Sequence, residues 1–380
     1  MNVWIALYRY FPHGGLQRDA LRTAAALAGA GHQVTIVCAV WDEPEADELP
    51  AGVERRVLGV RGTTNHRRME NFGRELEVAH EAAGSPFLLG FDRLPGLDAY
   101  FAADVCFVAR VRRTRSALSR LTPRYRTFAR LERAVFSPSV HTAIFTLVPQ
   151  VALDYRTEYG TPEERFSALP PGVAPDRRAP MDAERVRDAT RAKHGLSGDA
   201  IGLLFVAADF RQKGLDRVLA GMTSLPTSLR QRVRLLVAGP GDIPRFERLA
   251  RSLNLAPVTT FLAGTDEIPA LLQAADILVH PARVENAGAV LVEALAAGLP
   301  VLCSGECGYA HHVQAAGAGT ALDAPYDQRQ FDTALVQICE ADRHELRARA
   351  LCHAAETDLT SMHATIVRAI ERLARPSVEA

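Results

Sequence analysis

Strand-like and helix-like segments alternate along almost all of the 380 residues, which restricts the chain to parallel sheets flanked by helices. In the first half the expected strands are residues 3–8, 33–40, 53–57, 86–91, 102–108 and 142–147, with helical patterns at 16–30 and 70–83. A second series runs from residue 201, with strands at 201–206, 234–238, 259–262, 277–280 and 301–303. Helices at 215–222, 244–253, 268–275 and 290–297 join them. Between the two series, Pro170, Pro171, Gly172, Pro175 and Pro180 crowd a stretch that can hold neither a helix nor a central strand. That stretch is the expected hinge. The pattern predicts an α/β protein of two doubly wound, Rossmann-like domains facing across a cleft: residues 1–170 and 171–356. A C-terminal helix, 357–380, would pack back onto the first domain.

Composition narrows the setting. With 44 basic and 44 acidic residues the formal net charge is zero, so the whole chain has no global attraction for nucleic acid or membrane. The first seven residues form a short apolar strand without the basic flank or cleavage site of a leader, and no apolar run is long enough to span a bilayer. The expected location is therefore cytoplasmic. Six scattered cysteines, most in apolar runs, read as buried thiols in such a compartment. Cys303 and Cys307 lack a second Cys/His pair at zinc spacing, so no metal is expected there.

Four local features carry chemistry. Glu285 and Glu293 stand eight positions apart around Ala287-Gly288-Ala289, between the strand at 277–280 and an apolar helical run. The crevice at the carboxyl ends of parallel strands is where ligands bind, and free N–H groups at a helix N-terminus favour a diphosphate. The bland alternative is two solvated glutamates beside a turn. Gly14 and Gly15 make the first strand–helix turn, either a phosphate approach or a plain tight turn, and Asp19 follows one helical turn later. It is not the Gly-x-Gly-x-x-Gly dinucleotide fingerprint, which weighs against an NAD enzyme. The sequence contains only two lysines, Lys193 and Lys213; the second lies in the loop just after the first strand of the second series, where an ammonium can neutralise a departing phosphate. Finally, Arg110, Arg112, Arg113, Arg115, Arg120, Arg124 and Arg126 crowd a segment in which Glu132 is the one acid, interleaved with apolar residues. This suits an anionic membrane surface, or else a core-packed helix with a solvated basic face. No stacking platform for nucleic acid accompanies it.

Taken together, residues 8–19, 64–66, 95–106, 121–126, 169–177, 213–217, 285–300 and 307–311 resemble the bacterial lipopolysaccharide core glucosyltransferase I family, in glycosyltransferase family 4 with the GT-B fold. The resemblance spans both domains. It implies a first domain that binds the acceptor and a second that binds the nucleotide sugar. The implied reaction is retaining transfer of an α-linked hexose, glucose foremost, from a UDP-sugar to an inner-core heptose of lipopolysaccharide. It also implies a peripheral position on the inner face of the cell membrane through the basic segment. Carried over by position, Gly14 and Gly15 would meet the donor phosphates, and Lys213 would stabilise the departing diphosphate with Arg177 and a neighbouring guanidinium. Glu285 would orient the hexose, the N–H groups of Ala287, Gly288 and Ala289 would meet the donor, and Glu293 would hold the ribose. Asp19 and Asp104 would face the acceptor or reaction centre. No Asp-x-Asp pair occurs, so neither cofactor nor metal is expected.

One departure matters. The family commonly has arginine before the motif lysine, where this chain has Gln212 with Arg211 one place earlier. Arg211 would serve only if the loop shifts. The alternatives are a UDP-N-acetylhexosamine transferase on a similar acceptor and a GT-B sugar-nucleotide epimerase. A membrane adaptor without a catalytic site is disfavoured by Lys213, Glu285 and Glu293.

Overall fold

The computed structural model describes residues 1–11, 14–42, 49–196 and 198–375. The chain divides into two compact units: Met1–Pro170 together with the chain from Ser361, and Pro171–Thr360. Pro12 and His13 of the first glycine turn, and residues 376–380 of the expected C-terminal helix, lie outside the described residues.

The first unit is built on seven parallel strands: β1 (Asn2–Ala6), β2 (Gln33–Cys38), β3 (Val53–Val57), β4 (Phe87–Gly90), β5 (Ala99–Ala102), β6 (Ala143–Thr146) and β7 (Phe166–Ala168). Their order is β3-β2-β1-β4-β5-β6-β7, so the winding reverses between β1 and β4. Val3, Ile5 and Ala6 of β1 are fully buried, as expected of a central strand covered on both faces. The helices that bear on the argument are α1 (Gly15–Gly29), α2 (Asn65–Ala82), α3 (Phe107–Thr114), α4 (Pro123–Phe136) and α5 (Pro149–Tyr159). Ala20, Ala24 and Leu27 of α1 share one core with Ile366 and Ile370 of the helix Met362–Leu373, which returns the end of the chain to this unit.

The second unit holds six parallel strands: β8 (Ile201–Val206), β9 (Val233–Ala238), β10 (Thr259–Leu262), β11 (Ile277–His280), β12 (Val301–Ser304) and β13 (Gly319–Leu322). The order β10-β9-β8-β11-β12-β13 again reverses between the first and fourth strands of the unit. Leu203, Phe205, Val237, Ile277 and Val279 form its core, near-continuous apolar runs that also made these strands legible. Helices α6 (Ala183–Lys193), α7 (Leu215–Ser224), α8 (Ala289–Ala296) and α9 (Arg343–Glu356) are used below.

Three expectations are corrected. The strand expected at 102–108 is instead β5 ending at Ala102, with the chain helical from Phe107. The cause is a distant acid: buried Glu132 accepts the N–H of Phe107 (2.8 Å) and of Val108 (3.0 Å), capping α3. The helix expected from residue 357 starts only at Met362 and runs to Leu373, with Thr357–Ser361 a non-helical link from α9. Edge strands β7 and β13, short and mixed in burial, carry no clean apolar run and were not expected.

Just before β11, Asp276 is nearly buried and accepts the Gly202 N–H at 2.7 Å and the guanidinium groups of Arg187, Arg191 and Arg343. It ties α6 and α9 to the sheet, and these partners hold its carboxyl below the usual range although burial pushes the other way. Asp276→Ala leaves three partly enclosed cations without their anion. It is expected to destabilise the chain by about 3–5 kcal/mol, measured as a lowered urea midpoint at pH 7.

Candidate active site

Parallel pairing of β8 with β11, in the register Leu203↔Ile277 and Leu204↔Leu278, sends the loops after Val206 and after His280 off the same edge of the sheet. Gly214, at φ 84°, lets them meet. A Cβ there would lie 2.1 Å from the Pro281 carbonyl oxygen, so only glycine permits the approach. Side chains then lock the loops together. Gln212 Nε2 donates to the Val284 carbonyl at 3.2 Å, and Arg283 donates to the Arg211 carbonyl and, through both terminal nitrogens, to Asp216 at 2.8 and 2.6 Å. Arg217 donates to the carbonyls of Pro281 and Ala282 and lies 3.6 Å from the centre of the Tyr326 ring.

This lock delivers Lys213 to Glu285. The ammonium lies 2.6 Å from Glu285 Oε2, and His280 Nε2, at the end of β11, lies 3.2 Å from the same oxygen. His280 is 1 % exposed and stacks on Phe205 with ring centres 6.3 Å apart, so its orientation is fixed from behind. Burial pushes the Glu285 carboxyl up, but the His280 hydrogen bond and the Lys213 charge outweigh it, holding the group at about 2. The carboxylate is therefore ionised at any ordinary pH.

Three residues further on, Gly288 adopts φ 83° as the cap of α8, which starts at Ala289 with no acid in its first turn. Those N–H groups present the positive end of the helix beside Lys213 and Glu285. Glu293, 5 % exposed, sits one turn further along α8. Arg177 is buried at the end of the short turn Pro175–Arg177, 3.5 Å from Asp176. Arg211 is exposed, its carbonyl rather than its guanidinium engaged in the loop lock.

In the first unit, Gly14 caps α1 and Gly15 opens it; among the described residues a Cβ on Gly15 would meet nothing within 4 Å. Asp19 lies on α1, half-buried, and Asp104 is exposed in the loop after β5.

The basic segment differs from its reading as a chain-local feature. Glu132 is fully buried, accepting from Tyr159 Oη at 2.7 Å and lying 3.3 Å from Arg93 Nε, so it is no surface counter-charge. The opposing acids come from elsewhere: Glu158 and Asp154 of α5 pair with Arg112 and Arg113, and Glu70 of α2 with Arg130. Arg110, Arg115, Arg124 and Arg126 are exposed and Arg120 is half-buried. Leu118 and Leu121, in the short turn Ala117–Leu121 between α3 and α4, are 74 % and 63 % exposed.

His280 is the residue that sequence reasoning missed. Its signal was available: a histidine closing an apolar strand five positions before the candidate glutamate.

Comparison with known proteins bears on this geometry. Residues 186–353 match the sequence family Glycosyl transferases group 1. The chain is 39% identical over 335 residues, 88% of each protein, to the lipopolysaccharide glucosyltransferase WaaG of Escherichia coli (strain K12). The crystal structure of WaaG, a glycosyltransferase involved in lipopolysaccharide biosynthesis, superposes with a TM-score of 0.92 at 37% identity, covering 97% of this chain and 99% of that one. Anabaena Alr3699/HepE in complex with UDP-glucose superposes with a TM-score of 0.72 over 98% of both chains at 14% identity, a likeness of fold alone.

The Lys213–Glu285 pair can be tested without substrate. A carboxyl held at about 2 instead of its ordinary 4.5 contributes stability that is complete above about pH 4.5 and is lost as the pH falls through about 2. Lys213→Met is expected to lower stability at pH 7 by about 2–4 kcal/mol. The difference should shrink towards pH 3, as urea unfolding at the two pH values would record.

Proposed function

The chain belongs to the bacterial lipopolysaccharide core glucosyltransferase I family, with the GT-B fold, and we propose that it moves an α-linked hexose, glucose foremost, from a UDP-sugar to an inner-core heptose with retention of configuration. One observation carries the donor assignment: Lys213, Glu285 and the start of α8 converge at the carboxyl edge of β8 and β11, where an anion meets an ammonium and helix N–H groups together.

In this reading Lys213 Nζ and the N–H groups around Ala287, Gly288 and Ala289 neutralise the departing diphosphate, so that neither cofactor nor metal is required. Glu285, ionised and fixed by His280, accepts hydrogen bonds from the hexose hydroxyls, and Glu293 does the same for the ribose. The acceptor hydroxyl attacks the anomeric carbon on the face the diphosphate leaves, and its proton passes to the leaving phosphate oxygen. Arg177 and a second guanidinium share the diphosphate charge. The Arg211 side chain is exposed with its carbonyl fixed in the loop lock, whereas Arg217 and Arg283 are engaged in holding the two loops together. The roles of Gly14, Gly15, Asp19 and Asp104 rest on the family resemblance. The exposed arginines together with the outward Leu118 and Leu121 support the peripheral position on the inner membrane face that the family resemblance implies.

Calorimetry with UDP and UDP-glucose in EDTA tests the donor reading: binding of both without metal is expected, and no uridine-nucleotide binding would end it. Glu285→Ala should abolish transfer to inner-core-truncated lipopolysaccharide while leaving far-UV circular dichroism unchanged; near-normal turnover would sink the site. Replacing Leu118 and Leu121 by serine should weaken binding to anionic vesicles by roughly tenfold or more in a sedimentation assay, since each loses the burial of an apolar side chain.

A further inference from the structure

In the first unit, too, the winding reverses between two paired strands, and a carboxylate with no role so far sits at that point. β1 and β4 run side by side in the register Ala6↔Gly90, and the chain leaves them as Leu7-Tyr8 and Phe91-Asp92. The Phe91 N–H donates to the Ala6 carbonyl at 2.8 Å, extending the ladder to its end. Beyond it, the Tyr8 N–H donates to Asp92 Oδ2 at 2.6 Å, which fixes the carboxylate across the mouth between the two strands. In open α/β sheets that mouth is the ligand crevice.

The surroundings of Asp92 are those of a group placed to bind. Among the described residues it has no ion-pair partner: neighbouring Arg93 is turned away, 3.3 Å from Glu132 and hydrogen-bonded to the Val105 carbonyl and Tyr155. Tyr8 and Phe72 of α2, with ring centres 5.8 Å apart, wall the loop beside it. Asp104, from the loop after β5, is the other charged group that acts on it, and it is also an anion. Two carboxylates, with no third ligand among the described residues to make a cation site, suit neutral O–H donors.

We infer that Asp92 is an acceptor-binding residue, whose carboxylate accepts a hydrogen bond from a hydroxyl of a polyhydroxylated sugar seated at the mouth of β1 and β4. This rests on the glycosyltransferase reading above and extends it to the acceptor side. Burial, reinforced by Asp104 and opposed by the Tyr8 N–H and Arg93, pushes the Asp92 carboxyl up to about 6. A folded value above the ordinary 3.8 means that Asp92 costs stability as the pH rises from about 4 to 6, while the folded chain gains the charged form, and with it acceptor binding, as the pH passes about 6.

The test uses Asp92→Asn in the full chain, which keeps an oxygen for the Tyr8 N–H. With UDP-glucose and inner-core-truncated lipopolysaccharide, wild-type kcat/KM for the acceptor is expected to rise through about pH 6. The variant should lose that limb and fall roughly tenfold at pH 8, the difference between a charged and a neutral hydrogen bond. Its Tm should be higher than wild type at pH 8 and equal near pH 4, which separates a lost contact from a damaged fold. Wild-type kcat/KM in the variant, with the acid limb intact, would overturn the role of Asp92. UDP binding by calorimetry on the same samples keeps the two readings apart: its absence in the wild type would strike the donor assignment, whereas its presence with unchanged acceptor kinetics would strike only this inference.

Discussion

Everything chemical in this chain depends on the pairing of the first strand of each unit with the fourth. β1 lies against β4 and β8 against β11, and in each case the intervening strands have been wound to one side before the chain returns to begin the other. No crossover loop covers the gap at such a reversal, so the loops that follow the two strands face each other across a mouth. The Lys213 ammonium reaches the carboxylate of Glu285, 72 positions later in sequence, for that reason, and Tyr8 reaches Asp92 for the same one. Hydrogen bonding of parallel strands thus does the positioning, and side chains supply only the last few ångströms.

The second unit shows how that last distance is held. A lysine and a glutamate brought together in a partly enclosed place would each be free to turn towards water. Here Arg217 donates to backbone carbonyls of the facing loop, Arg283 to one such carbonyl and to Asp216, and His280 stacks on Phe205, so the glutamate meets a held donor on one side and an ammonium on the other. The cations of this region divide into those that build the loops and the one that meets the carboxylate. A sequence alone cannot make that division, because all are basic residues within a few positions of one another.

Much of the fold was legible because central parallel strands are buried on both faces and so appear as apolar runs of four to six residues, as at 201–206 and 277–280. Elements at the margins were not. β7 and β13 are short and only partly covered, and the apolar stretch after Ala102 carries no local sign that Glu132, some 25 residues later, would cap it into a helix. The candidate site divides in the same way. Lys213, Glu285 and Glu293 stand out by rarity or spacing. His280 and Asp92 are ordinary residues whose significance comes from a neighbour on another strand, and the acids opposing Arg112 and Arg113 lie on a helix about 40 residues away.

The scarcity of lysine has a practical side. The sequence holds two, and each is ion-paired: Lys193 with Glu267 on an open surface, and Lys213 with Glu285 at the candidate site. Lys213 is 18 % exposed against 58 % for Lys193. Apart from the terminal amine, amine-directed chemistry therefore has one open target and one largely enclosed by its ion pair. A label or surface attachment made under mild conditions would fall on Lys193 and spare the Lys213–Glu285 pair.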